Sequence, residues 1–362
     1  MKFRMTRTLS LLTVLLGLST QVFALEAPVG VRPCCAFGKD LKAKLVGVPV
    51  PFFSLGNTLD ADDIGDHKYN DGSSSVSASL LGMADEKNGL IFTEKGGFID
   101  TAHVRDTADY TYYLFHQNQQ HFGQDHYIEL PDELRTRRIQ WHAHENSQLT
   151  AQQRLKMEVQ SASLIAFRLA QWHEIAQWFG MISVGGFDEL ASAFSSEDLY
   201  SNMLGAQLAS AILLDNPNLS SSEFAERMDD AFAQALNNLK AQPKSVTDEK
   251  IEQLDGKWWD SSKRLPNKWA VLFRDYRFGL TLTPNYSGSS HELSLPSQFD
   301  NGDDIEQWVS LELHKSDLEK HFEALPDNKK QQEVWYTDDF QPLADFAKQA
   351  DEAEYRQILE GK

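Results

Sequence analysis

Ala162-Ser163-Leu164-Ile165-Ala166-Phe167-Arg168-Leu169-Ala170-Gln171-Trp172-His173-Glu174-Ile175-Ala176-Gln177-Trp178-Phe179 is apolar on nearly every face when wound at 3.6 residues per turn. A helix with so little polar surface belongs inside a core. It is predicted over about 151–179, stopped by Gly180 and the Gly185-Gly186 pair. Around His173 the helical neighbours are Ala166, Leu169, Ala170, Ala176, Gln177 and Gly180, small enough to let another helix approach. Around Glu174 they are Phe167, Ala170, Gln171, Gln177 and Trp178. An imidazole and a carboxylate buried there must find partners, because unpaired burial costs several kcal/mol.

Working outward, residues 98–117 contain no Pro or Gly and read as a helix before the central one. Ser195-Ser196-Glu197-Asp198 is an N-cap signature that opens a third, running through Leu214 to Pro217. Ser220-Ser221-Ser222-Glu223 opens a fourth that ends before Pro243. Residues 25–93 are rich in Pro, Gly, Asp and Ser, with extended runs at 45–50 and 89–93 and a serine-rich stretch at 73–79. Strands are predicted at 269–273, 278–283 and 305–313, and an acidic helix at about 342–359 closes the chain. The expectation is an α+β fold in one domain over 25–362. Its core is predominantly helical, four central helices over about 98–241, and short strands are confined to the N-terminal and C-terminal parts.

The chemistry gathers in three of these helices. In Gly96-Gly97-Phe98-Ile99-Asp100-Thr101-Ala102-His103-Val104-Arg105-Asp106-Thr107-Ala108-Asp109-Tyr110, helical spacing puts Asp100, His103, Asp106 or Thr107, and Tyr110 on one stripe. A carboxylate three residues from a histidine can fix its tautomer or join it on a metal. Trp172-His173-Glu174 resembles half of the zinc-protease helix motif, but the position four residues after His173 is Gln177, so the motif fails as written. His103 can supply the missing nitrogen and Asp198 or Glu197 the oxygen, giving a His-His-carboxylate set of the kind that holds catalytic zinc or another divalent metal. Glu174 is then the candidate general base, with Asp100, Arg105, Asp106, Gln177, Glu197 and Asn202 as supporting residues. The alternative is a structural hydrogen-bond network that fastens helices together. Asp198, Asn202 and Gly205 share a face that continues to Ala209, and helix capping does not explain Asn202. Trp141-His142-Ala143-His144-Glu145 reads as a loop with surface histidines, and Trp258-Trp259-Asp260 as aromatic packing or a stacking platform for a sugar or peptide.

Residues 1–24 read as a cleaved export signal. Lys2, Arg4 and Arg7 precede an apolar run over 9–18, and Val22-Phe23-Ala24 offers a cleavage site. Ten residues are too few for a permanent span, which needs about 20. The expected product is periplasmic or secreted, with no stable membrane insertion. The chain carries 34 Lys plus Arg against 53 Asp plus Glu, a formal charge of −19, and losing the three basic residues makes it more acidic still. That field repels nucleic acid and anionic lipid and suits cations. The two cysteines, Cys34 and Cys35, are adjacent, so this is no disulfide scaffold.

At residues 96–106, Trp172-His173-Glu174-Ile175 and Ser196-Glu197-Asp198-Leu199-Tyr200-Ser201-Asn202 the chain resembles the bacterial domain of unknown function 4056 family. Arg32-Pro33-Cys34-Cys35-Ala36-Phe37-Gly38 is similar to the start of that family. The resemblance implies an exported envelope protein and brings no activity or catalytic residue with it. Two readings follow: a metal-dependent hydrolase acting on an envelope substrate, or a non-catalytic binding or assembly protein whose buried polar residues only fix packing.

Overall fold

The chain enters its core through a glycine pair. β3 (Leu90–Thr93) turns back as β4 (Gly97–Asp100), and β4 runs without a break into helix α1 (Thr101–His121). Gly97 sits at φ 67°, and a Cβ there would press on Pro284 and Tyr286 at 3.3 and 3.2 Å, so a side chain is disfavoured by both backbone and neighbours. Asp100 ends the strand and caps the helix, its Oδ1 accepting the Ala102 N–H at 2.8 Å. This computed structural model describes residues 25–29, 32, 44–45, 48–49, 57–72, 86–181, 190–265 and 267–360. The export signal expected at 1–24, Cys34 and Cys35, the serine-rich stretch and Gly185-Gly186 lie outside the described residues.

Helix α2 (Ala151–Trp178) opens on a reciprocal Thr150–Gln153 capping box and carries the apolar run, with 162, 164–167, 169, 172 and 174–177 all buried. Helices α3 (Asp198–Asp215) and α1 pack against it and against each other. Helix α4 (Ser221–Asn238) has its own capping box, Ser220 with Glu223, and rests on α3. α5 (Lys244–Leu254) lies on the β3–β4 hairpin, where Thr247 Oγ1 accepts the Phe92 N–H. A one-turn helix α6 (Asp327–Lys330) and the long α7 (Phe340–Glu360), which packs on α2, follow.

Four central helices with strands only at the two ends is not the architecture. Among the described residues there are seven α-helices, and strands alternate with them along the chain. The largest departure is a hairpin between α1 and α2: β5 (His126–Glu133) and β6 (Arg135–Trp141). β6 pairs with β9 (Val309–His314), and β9 with β10 (Val334–Trp335), giving one antiparallel sheet in the order β10-β9-β6-β5. Two further pairs are minimal: β1 (Lys44–Leu45) with β2 (Val48–Pro49), and β7 (Thr281–Leu282) with β8 (Leu293–Ser294). The predicted strand at 269–273 begins inside a 3-10 turn, Lys268–Ala270, and the one at 305–313 begins as another, Ile305–Gln307.

Candidate metal centre

Two helix N-termini meet at the cluster. Along the α1–α3 contact His103 faces Asp198, Thr107 Oγ1 donates to Asn202 Oδ1 at 2.7 Å, and Val104 faces Gly205. From His103–Asp198 through Thr107–Asn202 to Gln119 Nε2, which donates to the Pro217 carbonyl just past α3, the partners advance together, so the helices run in the same sense. Gly205 makes the approach possible: a Cβ on it would stand 2.0 Å from the Val104 carbonyl oxygen. The Asp100 N–H donates to Ser201 Oγ at 2.9 Å and ties the end of β4 to the first turn of α3.

Asp100, His103 and Asp198 each offer one ligand atom, and these atoms lie within 4.8 Å of one another. A cation about 2.0–2.6 Å from each donor needs spacings of no more than about 4–5 Å. His103 Nε2 stands 3.4 Å from Asp198 Oδ1, too far for a well-formed hydrogen bond. Among the described residues His103 Nε2, Asp198 Oδ1 and Asp198 Oδ2 are all buried with no hydrogen-bond partner. Buried polar atoms are almost always satisfied, so orphaned atoms on two neighbouring donors of the cluster mark a place for something that accepts their lone pairs.

The electrostatics agree. Asp198 lies at 0 % exposure, and burial, followed by the charges of Glu174, Glu197 and Asp100, holds its carboxyl well above the usual range, against a partial opposing pull from Arg274. Burial and the charges of Asp100 and Glu174 push the neighbouring Glu197 to about 7, although Ser196 Oγ donates to it at 2.8 Å. Four buried carboxylates thus influence one another, and Arg274 partly offsets those of Asp198 and Glu174. Arg274 spends its donors on the carbonyls of Ala191, Ala193 and Lys268, bracing the segment that leads into α3. The converging positive ends of α1 and α3 favour negative charge here but supply only about half a charge each. A divalent cation would remove the excess directly.

Of the residues singled out by sequence, the structure brings His103 and Asp198 together and adds Asp100 as the third donor. His173 is placed elsewhere. Its Nδ1 lies 3.3 Å from Glu133 Oε1 and its Nε2 3.0 Å from Gln177 Nε2, on the side of α2 that meets the β5–β6 hairpin. Glu133 is also paired with Arg137 at 2.8 Å, and Arg137 bonds Tyr110, seven residues or about 10 Å along α1 from His103. Glu174 is fully buried beside the cluster, and its Oε2 accepts the Phe194 N–H at 2.6 Å. Phe194 stands at φ 60°, a conformation a phenylalanine adopts only when held, and Glu174 does the holding.

Arg105 and Asp106 look away from the cluster. Arg105 donates to the carbonyls of Ile64, Gly65 and Lys87. Asp106 joins a buried network in which Arg32 also pairs with Glu86 and Asp109, and Asp109 with His67. This network fastens the N-terminal segment to α1. Glu86, His67 and Arg274 carried no local sequence signal, since each acts across a long separation. His142 and His144 bond Ser310 and the Gln307 carbonyl and only hold the loop after β6.

Beside the cluster a small, open cleft lies between the β3–β4 turn and the 284–286 segment, lined by Phe98, Glu197, Trp258 and Tyr286 among others. Phe98 and Asp100, two apart on β4, face the same side of the strand, so the cleft and the cluster share a wall.

A protein-family model described as "Protein of unknown function (DUF4056)" matches residues 22–287, which include every residue of the cluster and the cleft. No curated protein and no solved structure matches the chain.

Proposed function

The chain belongs to the DUF4056 family, and with no activity attached to that family we propose from the site alone that this is a metal-dependent hydrolase of the cell envelope. Asp100, His103 and Asp198 would hold one divalent cation, zinc or manganese by the mixture of imidazole and carboxylate. Export through a leader at 1–24 is part of the same proposal. The observation that carries it is that one ligand atom each from Asp100, His103 and Asp198 lies within 4.8 Å of the others, while His103 Nε2 and both oxygens of Asp198 are buried without a hydrogen-bond partner among the described residues.

A cation bound there would supply Lewis acidity and an activated water. The chain's own share is positional. Asp100 is fixed by its helix cap, and Asp198 by its place at the head of α3. Glu197 lines the cleft, whereas Glu174 is fully buried and committed to the Phe194 backbone, so we assign proton handling to Glu197.

The test is metal stoichiometry of the mature protein, by elemental analysis and by titration of zinc and manganese into chelator-treated protein. One equivalent is expected, lost in His103→Ala and in Asp198→Asn and kept in His173→Ala. Absence of binding would sink the proposal. The second reading, a non-catalytic packing or assembly role, would then stand, supported by the way His173, Gln177 and Glu174 are spent on helix-to-hairpin and backbone contacts.

A further inference from the structure

We infer that His67 is a pH-sensitive latch, a buried imidazolium that clamps residues 57–72 to α1 and α4 and releases them when it loses its proton. Its side chain is 1 % exposed, and each ring nitrogen faces a carboxylate oxygen. Nε2 lies 3.0 Å from Asp109 Oδ1. Nδ1 lies 3.6 Å from Glu86 Oε2 and has no hydrogen-bond partner among the described residues. A neutral imidazole has one donor and one acceptor nitrogen, so either tautomer would turn a lone pair toward one of these carboxylates. Only the protonated ring offers a hydrogen to both.

The charges around the ring call for that proton. Asp106, Asp109 and Arg105 come from α1, Arg32 and Glu86 from the chain before it, and the half-buried Asp229 from α4. The segment itself adds the exposed Asp66 and Lys68 on either side of His67. At the centre, Glu86, Asp106 and Asp109 stand against Arg32 and Arg105, and an imidazolium makes the charges even. Burial alone would weaken the ring's hold on its proton, but Asp109, by charge and hydrogen bond, and Glu86 outweigh it and raise that hold above the ordinary histidine value. Burial also pushes the Asp106 carboxyl up, but Arg32 donates to both of its oxygens, at 2.6 and 2.9 Å, and a proton there would cost Arg32 an acceptor.

What the latch holds is backbone. Residues 64–70 contain no helix or strand, and the same side chains fasten them. The His67 N–H donates to Asp229 Oδ1 at 2.8 Å, the Lys68 N–H to Glu86 Oε2 at 3.1 Å and the Asn70 N–H to Asp109 Oδ2 at 3.1 Å. The edge of the ring meets Phe224 of α4. Losing the proton leaves two carboxylates across a neutral ring, and both also carry the backbone on either side of it. Because the folded ring holds its proton more tightly than the unfolded one, the clamp is complete below the ordinary value of about 6.5 and is lost as pH rises through the higher folded value.

The test follows the full chain from about pH 6 to about pH 9, a range that straddles the ordinary histidine value. With histidine labelled by nitrogen-15, the His67 signals are those lost in His67→Gln. Both ring nitrogens are expected to carry protons at the acid end and to half-titrate above the ordinary value, with the midpoint lowered in Asp109→Asn. Hydrogen exchange, corrected for its intrinsic pH dependence, should quicken about tenfold in peptides from 57–72 as the ring deprotonates, the loss of one charge-assisted hydrogen bond. His67→Gln should show the fast rate at every pH. A ring that titrates at or below the ordinary value, or exchange in 57–72 that ignores pH, overturns the latch. So does exchange that quickens equally throughout the chain, which would assign the change to global stability. The exchange profile is read on the unaltered chain, so a misfolded variant does not shield the proposal.

Discussion

At the scale of single residues the cluster is a stability liability in the absence of a cation, and this has a sign. Glu197 is pushed from about 4.5 to about 7 by burial and by neighbouring carboxylates, so the folded protein binds that proton more tightly than the unfolded chain does. The stabilisation is therefore complete below about pH 4.5 and is lost as pH rises to about 7. Asp198 moves in the same direction. Chelator-treated protein should show a melting temperature that falls between pH 5 and pH 8, a fall flattened in Glu197→Gln and reversed at pH 8 by saturating zinc. A pH-independent melting temperature, measured by calorimetry, would count against this. His103 was legible as a candidate from a carboxylate three residues before it, Asp198 from its place among the acids that open a helix, and Asn202 because capping does not explain it. The displacement of His173 was not, because Glu133 reaches it from a strand the sequence had not revealed.

At the scale of elements, the α1–α3 contact controls the geometry of the donors. Gly205→Ala places a methyl group 2.0 Å from the Val104 carbonyl and must part the two helices. Overpacking of this kind costs about 1–3 kcal/mol or more. The expected result is that loss in chemical denaturation together with weaker metal binding, since His103 and Asp198 sit on opposite sides of the gap. Unchanged metal affinity would separate the packing from the site. The helices could be read from apolar spacing and caps, and the boundaries of α2 fall within a residue of the expected ones. The β5–β6 hairpin could not. β6 alternates buried and half-buried residues in the pattern of a strand, but its inward positions include Arg135 and Arg137. Arg135 lies 3.6 Å above the Trp335 ring and donates to carbonyls of Leu313 and Gln332, partners about 180–200 residues away. Hydrophobic patterning cannot register an arginine whose stem and fork are both buried against distant chain.

At the scale of the whole molecule, the N-terminal segment is held by charge. Arg32 has a side chain only 5 % exposed and serves Glu86, Asp106 and Asp109 together. Arg32→Ala leaves three carboxylates without their shared cation and should cost about 3–5 kcal/mol, the usual penalty for breaking a buried pair from one side. Urea denaturation would measure it, and limited proteolysis should find new cuts within 25–72. A neutral outcome would mean that the segment's apolar contacts suffice. The cluster has a matching role that concerns chain connectivity. Asp100 and His103 lie before the β5–β6 hairpin and α2, and Asp198 lies after them. A cation shared by these donors would close a loop of about 100 residues, and a crosslink of that length removes unfolded-state entropy worth on the order of 4–5 kcal/mol in the chain-entropy model. Such a clasp would make the supply of metal a determinant of how long the folded protein survives.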